Sequence, residues 1–62
     1  MNQFIRSQIN NMIQMTQTFE RACEMAAMQD DGRISKEEAK TLKRIHDASA
    51  KFIAVLTKER DG

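Results

Sequence analysis

Proline is absent from the chain, and glycine stands only at Gly32 and Gly62. These two residue types are the usual breakers of helices, so nothing interrupts residues 3–30 or 35–60. The stretches are rich in Ala, Met, Gln, Lys and Glu, all favourable in helix interiors. Ile5, Ile9 and Ile13 recur at helical rather than alternate spacing. The pattern predicts an all-α antiparallel hairpin: a helix over about 3–29, a turn over 30–34 and a helix over about 35–59. Residues 1–62 are read as a single domain.

The turn carries its own chemistry. Gly32 can take the left-handed conformation that ends a helix, and Asp30 and Asp31 suit a turn. Ser35 and Glu38 form the S-x-x-E signature of a capping box for the second helix, and Glu37 and Glu38 favour its positive end. The same stretch invites comparison with an EF-hand loop, because Gly32, Ile34 and Glu38 fall where positions 6, 8 and 12 require. Asp31 fills position 5, but positions 1 and 3 are Ala27 and Gln29. Without those carboxylates the loop is expected not to bind calcium.

A chain of 62 residues buries only about 60% of the surface that its unfolded form exposes, which leaves little stability to spare. Small scaffolds are helped by disulfides, metals or association. Cys23 is the only cysteine and forms no internal bridge. In the first helix Ile5, Ile9, Met12, Thr16, Phe19, Cys23 and Ala26 alternate in steps of four and three, the seam of a helical bundle. Met1, Phe4, Ile13, Met15, Ala22 and Ala27 widen the stripe to about half the cylinder, more than one neighbouring helix covers. In the second helix Leu42, Ile45, Ser49, Phe52 and Leu56 repeat the spacing.

Folding the chain at residues 31–33 sets position i near position 65 minus i. Cys23 is then level with Leu42, Phe19 with Ile45 or His46, Thr16 with Ser49, Met12 with Phe52 and Ile9 with Leu56. The small polar Thr16–Ser49 layer leaves room for a side chain from a second subunit. A homodimer of hairpins, packed as a four-helix bundle, is therefore expected. Its core and interface would be Ile5, Ile9, Met12, Met15, Thr16, Phe19, Cys23, Leu42, Ile45, Ser49, Phe52 and Leu56.

Charge divides the two helices. Residues 1–29 hold only Arg6, Glu20, Arg21 and Glu24, while residues 30–62 hold eight basic and seven acidic side chains. Lys36, Lys40, Lys43, Arg44, Lys51 and Lys58 share one arc of the second helix, opposite its apolar stripe and interrupted by Asp47 and Ala54. This basic ridge is a candidate nucleic-acid surface, although no aromatic lies among its residues to stack on a base, and a solvated lysine face is the expectation. The back of the first helix is an uncharged amide surface that includes Gln14. With Met25 and Met28 near the turn it makes a candidate surface for an unidentified protein partner, since methionine adapts to varied partners.

The inventory for catalysis is thin: one His, one Cys and no Tyr or Trp. Cys23 and His46 could approach across the hairpin, but no third group is placed to orient the base. Nothing in their spacing resembles a zinc motif, and no glycine-rich phosphate loop exists. No catalytic residue, metal ligand or cofactor is assigned. The longest apolar runs, Met25–Met28 and Phe52–Leu56, are far too short to span a bilayer. The opening Met-Asn-Gln-Phe-Ile-Arg has no basic leader before an apolar run, so no secretory signal is expected, and a lone cysteine fits a reducing cytoplasm.

The expected hairpin is similar to the Rop family of plasmid copy-number regulators, short hairpins that dimerise into four-helix bundles and bind paired RNA loops. Phe4-Ile5-Arg6-Ser7-Gln8 looks like a stretch of that family's first helix, in which the Phe and Gln contact RNA. Here the segment lies about three turns farther from the interhelical turn, which puts Phe4 at an end of the bundle rather than its middle. The leading expectation is a non-enzymatic protein-interaction or regulatory module, with Rop-like RNA binding through the basic face as the alternative.

Overall fold

A computed structural model describes residues 2–29 and 32–62. It is all-helical: α1 spans Gln3–Ala27 and α2 spans Lys36–Asp61, and the two pack against each other. The hairpin measures 46 × 17 × 8 Å along its principal axes, two helices wide and one helix thick.

Each helix begins where a short polar side chain can satisfy a free backbone N–H. Asn2 Oδ1 accepts from the Ile5 N–H at 2.9 Å and opens α1. At the start of α2, Ser35 Oγ accepts from the Glu38 N–H at 3.1 Å, and Glu38 Oε1 accepts in return from the Ser35 N–H at 3.0 Å. The capping box read from the sequence is thus complete. It also occupies the carboxylate that an EF-hand would turn onto its ion.

The first helix ends two residues earlier than its pattern suggests. The Met28 N–H is shared between the carbonyls of Glu24 and Met25, each at 3.2 Å, and the Gln29 N–H reaches Ala26 O. That tightening of the last turn satisfies carbonyls left over at a helix end. Gly32 is left-handed as expected, with φ 72°. It does not cap α1 directly, however: its N–H donates to Met28 O at 2.9 Å and so closes the turn that follows the helix. The turn roles of Asp30 and Asp31 lie outside the described residues. At the other end α2 runs two residues past its expected limit, to Asp61, where Gly62 N–H donates to Lys58 O.

Burial marks the stripes along which the helices meet. On α1 these are Ile9, Ile13, Thr16, Glu20, Cys23 and Ala27. On α2 they are Glu38, Leu42, Ile45, Ser49, Ile53, Leu56 and Arg60, with Thr57 beside them. The α1 stripe is again a four-three repeat, displaced by one position at alternate steps from the seam through Met12, Phe19 and Ala26. The register agrees with the fold-back at position 65 minus i, because Glu20 stands against His46.

No apolar side chain among the described residues is buried; only Ser49 is, at 8% exposure. A small residue at that point lets the two backbones come close, but it contributes little apolar surface. Among the described residues the hairpin has a seam and no core.

Candidate interaction surface

The seam divides the hairpin into two broad sides. At about 100° per residue, Ile5, Met12, Phe19 and Ala26 lie on one flank of the α1 stripe, and Thr41, Ala48, Phe52 and Val55 lie on one flank of the α2 stripe. Because the helices run antiparallel, both flanks open onto the same side, here called the front. The large apolar residues around it are far from covered, ranging from 39% exposure for Met12 to 61% for Met15, with Ile5, Phe19, Phe52 and Val55 between. No charged side chain interrupts the α1 half of this face.

The back is polar and carries two cross-links between the helices. His46 Nδ1 lies 3.5 Å from Glu20 Oε2, with the imidazole 68% exposed and the carboxylate side chain 22%. Near the termini Arg60 Nη1 donates to Asn10 Oδ1 at 2.8 Å, while its Nε donates to Asp61 Oδ1 at 3.0 Å. The hydrogen bond from Arg60 is the main reason why the Asp61 carboxyl is held below its ordinary value, and the same bond raises the Arg60 guanidinium.

The front is not uniform along its length. At the turn end, Cys23, Ala26, Ala27, Thr41, Leu42 and Ile45 surround an apolar cleft of about 320 Å³ between the helices, with Glu37 and Glu38 at its rim. The cleft exists because α1 presents three small residues there, Cys23, Ala26 and Ala27. At the open end Ile5, Phe52 and Val55 project instead.

The residues read from sequence fall into distinct places. Ile9, Thr16, Cys23, Leu42, Ile45, Ser49 and Leu56 line the seam; Ile5, Met12, Met15, Phe19 and Phe52 are exposed around the front. Gln14 lies on the outer flank of α1 beside a shallow hollow shared with Gln8, Asn11 and Thr18. Met25 and Met28 are exposed near the turn. Lys36, Lys40, Lys43, Arg44 and Lys51 are all exposed, along the outer edge of α2 and away from α1.

Cys23 and His46 are not brought together, since Cys23 faces the front cleft while His46 meets Glu20 on the back. Glu20 and Arg60 lie in the seam although neither is apolar, so apolar spacing does not mark them, and Asn10 is the exposed partner of Arg60 beside it. Among the described residues no cluster of three or more His, Cys, Asp or Glu side chains is placed to hold a metal ion, and no helix is long and apolar enough to cross a membrane. No protein-family model matches the chain, and comparison with curated proteins and with solved structures finds none that matches it.

Proposed function

We propose that the chain is a non-enzymatic protein-interaction or regulatory module acting as a homodimer, in which two hairpins join front to front as a four-helix bundle. The observation that carries this reading is the uncovered front face on a hairpin with no buried apolar side chain among its described residues. A folded single chain of 7.1 kDa ordinarily exposes about 4,100 Å². This one exposes 5282 Å². The excess of about 1,200 Å² per chain matches what each partner contributes to a large, obligate interface.

Light scattering across a concentration series, with helicity recorded on the same samples, tests the reading. The expected mass is twice 7.1 kDa, and the double variant Phe19→Ser with Phe52→Ser is expected to lose both the mass and the helicity. A highly helical single chain would overturn the dimer. A poorly helical single chain would mean that another protein covers the front.

The basic ridge supports a second reading, a nucleic-acid-binding regulator. Front-to-front packing leaves the outer edge of α2 uncovered, so Lys40, Lys43, Arg44 and Lys51 stay available to phosphates. Binding of this kind weakens steeply with salt. Replacing the four together by glutamine should abolish it, and RNA or DNA binding that survives the replacement would rule the ridge out.

A further inference from the structure

We propose that in the dimer the two hairpins lie with their turns at opposite ends, so that the cleft at the turn end of each receives Ile5 from the open end of the other. The proposal rests on the homodimer reading and specifies how the two copies fit.

A two-fold dimer uses the same patch on both copies, so the patch must complement itself. Two arrangements place front on front. If the axis runs across the helices, α1 lies on the second copy's α1 and α2 on its α2, with the turns at opposite ends. If it runs along the helices, α1 lies on α2 and the turns coincide.

In the first arrangement the α1 residues that meet have numbers adding to about 31: Ile5 with Ala26, and Met12 with Phe19. The α2 residues that meet add to about 100: Ala48 with Phe52, Ile45 with Val55, and Thr41 with Glu59. Large side chains meet small ones in two of these layers, sulfur meets an aromatic ring in a third, and a hydroxyl meets a carboxylate in the last. The two registers share one axis. The α1 register centres between Met15 and Thr16, and the α2 register centres on Ala50. Within one hairpin those positions stand at the same level, as the Glu20–His46 contact fixes.

The second arrangement loses this complementarity. Ala26 is then level with Thr41, small upon small, while Met12 again meets an aromatic ring, that of Phe52. The 320 Å³ cleft stays unfilled, and Ile5 falls beside the Glu59 carboxylate. Close packing at an interface core disfavours such voids and apolar–charge contacts.

Nitroxide distances decide between them. Gln29, exposed beside the turn, is changed by Gln29→Cys in a Cys23→Ala background and labelled. Turns at opposite ends put the two labels about 40 Å apart, from the 1.5 Å rise per residue. A separation near 20 Å, the span of adjacent stacked helices plus the labels, overturns the arrangement while the mass from light scattering still shows a dimer. A mass of one chain, with no dipolar coupling, overturns the dimer itself and the arrangement with it.

A second variant works in the chain with Cys23 in place. Ala26→Phe fills the cleft from within and is expected to weaken dimerisation roughly tenfold by overpacking. Unchanged dimerisation of that variant would overturn the docking of Ile5.

Discussion

Arg60 Nη1 donates a 2.8 Å hydrogen bond to Asn10 Oδ1, joining the last turn of α2 to the second turn of α1 at the open end of the hairpin. The helix ends there have no turn to hold them together. Arg60→Ala should therefore let both ends fray, with faster amide hydrogen exchange over residues 56–61 and 5–10 and unchanged exchange beside the turn. Uniform loss of protection along both helices would show that the contact supports the whole hairpin instead.

Ser49 is the one buried described residue, and it lies in the seam between the helices. A larger side chain has nowhere to go without forcing them apart. Ser49→Leu is expected to destabilise the fold by about 1–3 kcal/mol, the usual cost of overpacking. Thermal unfolding followed by helicity measures it, and an unchanged or raised midpoint would mean that the seam has slack at this level.

The capping box is expected to contribute in the ordinary range for such caps. Removing the Ser35 hydroxyl in Ser35→Ala should cost about 1 kcal/mol. Denaturant unfolding reads the difference. Glu38→Gln retains a side-chain acceptor for the Ser35 N–H and should cost less than Ser35→Ala.

Gly32→Ala isolates backbone conformation from packing. A Cβ built at Gly32 meets nothing within 4 Å, yet the residue has φ 72°. The expected loss of about 1 kcal/mol thus comes from the left-handed backbone alone. A stabilised variant would show that the turn relaxes to another shape at no cost.

Asp61 provides a pH test of the open end. The hydrogen bond from Arg60, with the attraction of the guanidinium, holds its carboxyl below the ordinary 3.8. A depressed carboxylate contributes stability that is present above its unfolded value and is lost as pH falls through the lower folded value. The carboxyl resonance of Asp61 should accordingly titrate below 3.8. Arg60→Gln should move it back toward the ordinary value; the same midpoint in both proteins would remove Arg60 as the cause.

Much of this architecture is legible in the sequence because its signals are local. Ser35 and Glu38 announce the second helix by spacing alone, and Gly32 marks the turn by the one conformation that other residues resist. Asn2 is equally suited to cap α1 by its residue type. The face of α1 that turns toward α2 was harder to see. Two four-three repeats run side by side along that helix, one through Met12, Phe19 and Ala26 and the other through Ile13, Glu20 and Ala27. Apolar content favours the first. The second forms the seam, and within it Glu20 lies 3.5 Å from His46 across the pair. A stripe half a cylinder wide therefore revealed which residues are apolar surface, but not which of them the hairpin itself would cover.

The outer edge of α2 takes on a further meaning once the copies are joined with turns at opposite ends. The axis across the helices keeps both α2 segments on one flank and both α1 segments on the other. A bundle of that form would be two-sided: one long margin would carry the lysines and arginines of both copies with Asp47 among them, and the other the glutamine, asparagine, threonine and methionine of α1 with Arg21 beside them. Such a particle would turn its basic margin toward an anionic surface and leave the other free for a different encounter.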